Sequence, residues 1–450
     1  MALIISELRE AVGTIVILMM ENRSFDNMLG HLSFNGNRAD VDGVRGPNLS
    51  APAYINPANG QGYSPFLVTK DGGLDQDLPH DLASVRKQLS FIAANQSYGM
   101  NGFAQAYLDQ GGSLVRDLPP LGFMDKSCVP VTSWLAENFT ICDRWFSSLP
   151  SSTHPNKLMA LAGKSTVDDT ATFVPRQDTL LDWLTSRNID WRVYHDGAFS
   201  FFSVMPQYWP LIVGDRFRRF NRLQGDLHDG TTPAPQVIII EPAYGNSPLE
   251  QHPNDNHPPL AVAFGENFML QVYRTLFSAP PAVLSRTVLI AVHDEHGGFW
   301  DHVPPHPTPG YTSLTGTKFD TTGPRVPALI VSPLVSPRRV VHDLVFDHTS
   351  ILQFVAECFA PGGGSYSHEV DLREDFGFSS VSAILDLSAP RIMPPAPDIT
   401  VTAPITLQQL RPVQTEGQRA FAHAIDGVLS SQYRSEMLAK IPELYAWDQA

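Results

Sequence analysis

Two apolar runs without polar alternation organise the chain. The first, Val12–Met20, stops at Glu21-Asn22-Arg23-Ser24-Phe25-Asp26. The second, Thr287–Val292, passes through His293 into Asp294-Glu295-His296-Gly297-Gly298. Unbroken, largely β-branched apolar segments predict strands buried on both faces of a parallel sheet. Val237–Ile240, closing on Glu241-Pro242, predicts another buried strand, and Asp190–Tyr194 a further one. Val326–Val331 is also apolar, but its internal Pro327 points to an edge strand or a late-starting one.

Helical patterns fall between the strands. Leu82–Tyr107 reads as partly helical, and Val129–Phe146 as a helix feeding a short strand. Thr179–Arg187, Phe264–Phe277 and Thr349–Phe359 are predicted helices, the last with Ile351, Leu352, Val355 and Phe359 on its apolar side. Strands alternating with helices predict an α/β fold of three layers, α/β/α, around a mostly parallel central sheet. Residues 31–80 are rich in Gly, Asn, Pro and Asp and read as a long irregular excursion. Ala389–Pro412 is dense in proline. Phe421, Ile425, Val428, Leu429 and Met437 mark an amphipathic terminal helix. The expected division is a main unit over residues 1–388 and a strap plus helix over 389–450, packed on the same unit.

Charge narrows the partners. Over 450 residues, 46 Asp and Glu against 31 Lys and Arg give a net charge of −15. That excess disfavours nucleic acid and anionic membranes and leaves open peripheral docking on neutral lipid. Cys128, Cys142 and Cys358 are odd in number and fit neither a CxxC pair nor a zinc knuckle, so buried thiols are expected. Val12–Met20 is too short to span a bilayer, which takes ~20 residues. Glu7, Arg9 and Glu10 precede it where a leader would carry positive charge. The expectation is a cytoplasmic protein, or one exported by an unconventional route.

In open α/β sheets the ligand site lies beyond the carboxyl ends of the strands. Glu21 and Asn22 are therefore expected beside Asp294 and Glu295, and acids gathered there repel one another unless a cation joins them. Such oxygen ligands suit Ca²⁺, Mg²⁺ or Mn²⁺ without excluding Zn²⁺. Glu21 alone could also be a solvated strand-end acid, and Asn22 a turn residue. Gly297-Gly298 allows positive φ or a close backbone approach, and Asp301 stands where it could orient His302. In Ser151–Lys157, Thr153 reads as a helix N-cap with Pro155 in the first turn, as a nucleophile at a helix N-terminus, or as both at once. His80, His257 and His348 are candidates, while His31, His154 and His306 are set aside. Trp191, Tyr194, Trp209 and Trp300 could build a box for a quaternary ammonium, or be core.

Taken together, ENRSFDNMLG (Glu21–Gly30), DLPHD around His80, CDRWF (Cys142–Phe146), STHPNK (Ser152–Lys157), NHPP (Asn256–Pro259), HDEHGGFWDHVPP (His293–Pro305) and FDHTSILQF (Phe346–Phe354) resemble the bacterial phospholipase C and acid phosphatase phosphoesterase family, which includes the plant non-specific phospholipases C. Lys157 stands where that family commonly has Arg. The resemblance implies an alkaline-phosphatase-like fold and one divalent metal ion held by Glu21, Asn22, Thr153, Asp294 and Glu295. It implies Thr153 as nucleophile, His80 and His257 against the phosphoryl oxygens or leaving group, and His302 and His348 as nearby supports. The implied activity is phospholipase C, acting on a phospholipid or a related phosphodiester through a phosphothreonine. The alternatives are an acid phosphatase acting on small monoesters and a silent binding module. Oligomeric state is not legible.

Overall fold

Eight strands hydrogen-bond into one mixed sheet in the order β4-β3-β5-β1-β6-β7-β2-β8. They are β1 (Thr14–Met20), β2 (Thr140–Cys142), β3 (Trp191–His195), β4 (Phe217–Arg219), β5 (Val237–Glu241), β6 (Thr287–His293), β7 (Ala328–Val331) and β8 (Val340–Val341). The computed structural model describes residues 2–45, 49–51, 54–229, 233–250, 252–388, 390–401 and 415–449. The helices include α1 (Phe25–Leu29), α2 (Leu82–Leu89), α3 (Thr153–Ala162), α4 (Ala263–Phe277), α5 (Thr349–Phe359) and α6 (Glu416–Leu429). The architecture is the expected three-layer α/β/α arrangement.

The missing alternation in the strand sequences has a direct cause. Every residue of β5 and β6 is buried, because both faces of the sheet are covered. Burying each Val, Ile or Leu there contributes about 1.5–3 kcal/mol, which makes the centre the most resistant part of the sheet. All neighbours pair in parallel except at β7, antiparallel to both β6 and β2. Pro327 therefore marks a late start, and β7 lies inside the sheet rather than at its edge.

Other expectations need correction. The terminal helix stops at Leu429, and Met437 belongs to a separate helix, Arg434–Lys440. The 31–80 excursion contains a small hairpin, Asn56–Ala58 with Gln61–Tyr63, and a strand, Phe66–Val68, paired with Gly122–Met124. Of the proline-rich segment, residues 390–401 have no regular structure, and 389 and 402–412 lie outside the described residues. All three cysteines are free and buried. Among the described residues, no helix is long and apolar enough to cross a membrane.

Candidate active site

Register brings the two acidic segments together. β1 and β6 run parallel with Met20 opposite His293, so Glu21 and Asp294 leave the sheet side by side. The Asp294 N–H donates to Met20 O (3.0 Å), and the Asn22 N–H donates to Asp294 Oδ1 (3.0 Å). Asn22 sits at φ +59°, a conformation that side-chain-bearing residues rarely adopt and that recurs at functional sites. Gly297, at φ +63°, explains the closeness of the facing turn, since a Cβ there would stand 2.1 Å from Asn22 O. The glycine pair thus lets the chain approach its own backbone.

Thr153 enters from α3. It is the first helical residue, and Ser152 holds the N-cap position, so the N-cap reading of Thr153 fails. Its hydroxyl donates to Asn22 Oδ1 (3.4 Å), and Asn22 Nδ2 faces His80 Nε2 at 3.3 Å. One turn along α3, the Lys157 ammonium lies 3.1 Å from Glu21 Oε1 and donates to Tyr244 Oη (3.3 Å). Burial works against the charge of Lys157, but Glu21, Asp294 and Glu241 outweigh it and raise its pKa. Lys157 is therefore a resident cation of this acidic floor.

The floor remains short of partners. Glu21 Oε2, Asp294 Oδ2 and Glu295 Oε1 are buried and accept no hydrogen bond. Burial drives Asp294 well above the usual carboxylate range, with Lys157 opposing and Glu21 and Glu295 adding to the rise. A buried charge without compensation is costly. Three starved carboxylate oxygens beside an amide and a hydroxyl are the donor set of a hard divalent cation, so these residues fit the ion that the resemblance implies. They are spread more widely than two other trios, Asp77–His80–His257 and Asp26–Asp301–His302, whose donor atoms lie within 4.8 Å of one another. In the second trio the Arg325 guanidinium already supplies the positive charge, 2.9 Å from Asp301 and 3.2 Å from Asp26.

Above the floor opens a cleft of about 800 Å³, lined by Thr153, His80 and His257. Leu78 O accepts from His80 Nδ1 (2.6 Å) and Pro258 O from His257 Nδ1 (2.5 Å), which leaves each Nε2 free of backbone. Burial opposes protonation of both rings, but Asp77, helped by Glu295 at His80 and by Glu21 at His257, raises both, His80 to about 9. Once protonated, His80 no longer accepts from Asn22 Nδ2, and its Nε2–H becomes a donor toward the cleft. Asp77, Asp81, Asp169 and Glu416 also line the cleft, and among its lining residues there is no Lys or Arg. Glu416 arrives on the first turn of α6 and accepts from Thr172 Oγ1 (2.8 Å).

Two expected site histidines stand behind the cleft rather than in it. Trp145 Nε1 donates to His348 Nδ1 (3.3 Å), so His348 Nε2 carries the proton and donates to Asp294 O (2.6 Å). Burial holds His348 down to about 4 and keeps it neutral, a strut under the Asp294 backbone. His302 lies between Asp26 (2.6 Å) and Asp42 (3.4 Å). Trp191, Tyr194 and Trp300 are core, Trp209 packs over Gly427, and none lines the cleft. Sequence reasoning missed Asp77, Asp169 and Glu416, and it noted Lys157 only as a substitution. Only the step from Thr153 to Lys157, one helical turn, could have signalled the latter.

The model of the Phosphoesterase family matches residues 12–360. Non-specific phospholipase C3 of Arabidopsis thaliana is 29% identical over 425 residues, covering 89% of this chain and 76% of that protein. The non-hemolytic phospholipase C of Burkholderia pseudomallei is 26% identical over 442 residues, covering 82% of this chain and 59% of its own length. Among solved structures, the lipoteichoic acid synthase LtaP from Listeria monocytogenes aligns over 98% of this chain and 94% of its own at 8% identity, with a TM-score of 0.40.

Proposed function

The chain belongs to the phosphoesterase family, and from that premise we propose that it is a divalent-cation-dependent phosphodiesterase of the phospholipase C type, with Thr153 as nucleophile. The observation that carries this reading is the Thr153 hydroxyl bonded to Asn22 above three buried carboxylate oxygens without partners. Glu21, Asn22, Asp294 and Glu295 would hold the cation, which when bound lowers the pKa of a neighbouring hydroxyl and offsets phosphoryl charge.

The chain's own groups do the rest. Asn22 orients the Thr153 hydroxyl, which releases its proton to water in the cleft as its oxygen attacks phosphorus in line with the ester oxygen that leaves. His80, positively charged, donates to a phosphoryl oxygen. His257 protonates the departing alkoxide through its free Nε2. Attack forms the phosphothreonine as the ester bond breaks, and water then cleaves it, releasing the phosphorylated head group and restoring Thr153.

The acidic cleft lining favours a diester with a cationic head group over a monoester. A monoester dianion meets Asp77, Asp81, Asp169 and Glu416, whereas an ammonium on the head group is attracted by them. Metal-supplemented hydrolysis of p-nitrophenylphosphorylcholine and p-nitrophenyl phosphate, side by side, tests this. Preference for the choline diester supports the reading. Preference for the monoester, strongest in acid, would make the protein an acid phosphatase and overturn it.

A further inference from the structure

We infer that the rim of the cleft docks on a zwitterionic lipid surface through four exposed apolar side chains on three loops, an inference that rests on the phospholipase C reading. Leu114 (63% exposed), Val115 (46%), Phe173 (58%) and Leu314 (76%) stand in water. Scattered singly, such residues need no explanation, but each of these is tied to the cleft. Leu114 and Val115 follow cleft-lining Gln110, on a loop anchored by the Ser113 N–H donating to Tyr107 Oη (3.2 Å). Phe173 adjoins cleft-lining Thr172. Leu314 caps the hairpin of Pro307–Thr312 and Lys318–Thr321, which Thr315 and Thr317 fasten to Asp168, next to cleft-lining Asp169. Asp169 in turn accepts from the Leu82 N–H (3.0 Å), joining this loop to the Asp81 side of the cleft. The other strongly exposed apolar residues, such as Ile392 and Tyr445, lie on segments that do not line it.

Charge selects the surface. With a net charge of −15 and acids around the mouth, the chain is repelled by an anionic bilayer. A phosphatidylcholine surface carries no such penalty and admits the apolar side chains to the acyl boundary. A head group reached from this surface enters the cleft without leaving its bilayer.

Vesicle flotation of the full chain with phosphatidylcholine vesicles, and with vesicles rich in phosphatidylserine, tests the inference. The wild type is expected to float with the former and weakly with the latter. Leu114→Ser/Val115→Ser/Phe173→Ser/Leu314→Ser should lower partitioning by roughly tenfold or more while its turnover of soluble p-nitrophenylphosphorylcholine stays at the parental rate. Phe173→Trp should shift its emission to the blue on addition of phosphatidylcholine vesicles. An unmoved emission, or a quadruple variant that floats like the parent, overturns docking. So does a dimer in sedimentation that the quadruple variant abolishes without any change in flotation, which would assign the patch to a second copy. Flotation lost in the variant while neither protein turns over the soluble diester would sink the phospholipase reading and leave docking standing.

Discussion

Two acidic clusters lie beyond the same strand ends and are built from the same two segments, yet their chemistry is opposite. ENRSFD gives Glu21 and Asn22 to the floor of the cleft and Asp26 to a cluster behind it. DEHGGFWDH likewise gives Asp294 and Glu295 to the floor, and Asp301 and His302 to the rear. At the rear every carboxylate oxygen of Asp26 and Asp301 has a donor. Arg325 spans both acids, His302 Nδ1 meets Asp26 Oδ2 at 2.6 Å, and the Asp26 N–H donates to Asp301 Oδ2 (3.1 Å). On the floor three oxygens have none. An acid in a motif therefore does not mark a site by itself; three unpartnered carboxylate oxygens gathered beneath one hydroxyl do. The completed cluster braces the turns that carry the incomplete one.

Substitutions should split along this line. Thr153→Ala should lower diester turnover by roughly 10³-fold or more while its melting temperature stays near the parent's. Turnover at the parental rate would remove Thr153 from the chemistry. Arg325→Met does the reverse: it strands Asp26 and Asp301 as buried charges and should cost about 3–5 kcal/mol of stability. A denaturant midpoint matching the parent's would mean that the rear cluster is not a brace.

Titration separates the clusters further. At the rear, burial opposes protonation of His302, but Asp26 and then Asp42 raise it to about 9. A raised histidine stabilises the fold fully below its unfolded value of ~6.5 and loses that contribution as pH climbs through its folded value. Stability should thus fall by on the order of 2–3 kcal/mol between about pH 6.5 and 9, and His302→Gln should flatten that slope. An unchanged slope would count against the ion pair. On the floor, Asp294 is raised as well, so in chelator at pH 8 its charge is a burden. Asp294→Asn keeps the acceptor for the Asn22 N–H and should be stabilised there by about 1 kcal/mol, with loss of activity and of divalent-ion binding by calorimetry. Undiminished ion affinity would take Asp294 out of the ligand set.

Much of this was legible before folding is considered. Unbroken β-branched runs can be buried on both faces, which fixes a parallel sheet and sends Glu21 and Asp294 to one edge. Which histidine faces the cleft was not legible, because partners decide it: Trp145 turns His348 toward a backbone carbonyl, and Asp26 with Asp42 draws His302 to the rear. The aromatic residues were ambiguous for a related reason, since a Trp that fills core and one that walls a pocket look the same in sequence. Glu416 lay further out of reach. It joins the cleft because Phe421 packs at a tilt against Tyr244, ring centroids 5.8 Å apart, and Gly417 lets α6 close on Asn246.

Glu416 also supplies the gentlest test of the contrast between completed and starved acids, being neither. Its carboxylate is half exposed, paired with Arg419 and bonded to Thr172, so water and partners already satisfy it. An acid of this kind acts on a substrate only through a screened field, worth less than about 1 kcal/mol. Glu416→Gln should therefore raise KM for p-nitrophenylphosphorylcholine about two- to threefold at low salt, leave kcat unchanged, and lower KM for p-nitrophenyl phosphate. In 0.5 M salt both shifts should vanish, since the Debye length there is only ~4 Å. A shift that survives salt would mean direct contact with the head group, and a fall in kcat would place Glu416 among the reacting groups. No shift in either substrate would leave the mouth acids without a part in selection, and the preference for a cationic head group would then have to come from deeper in the cleft, where Asp77 faces His80 and His257.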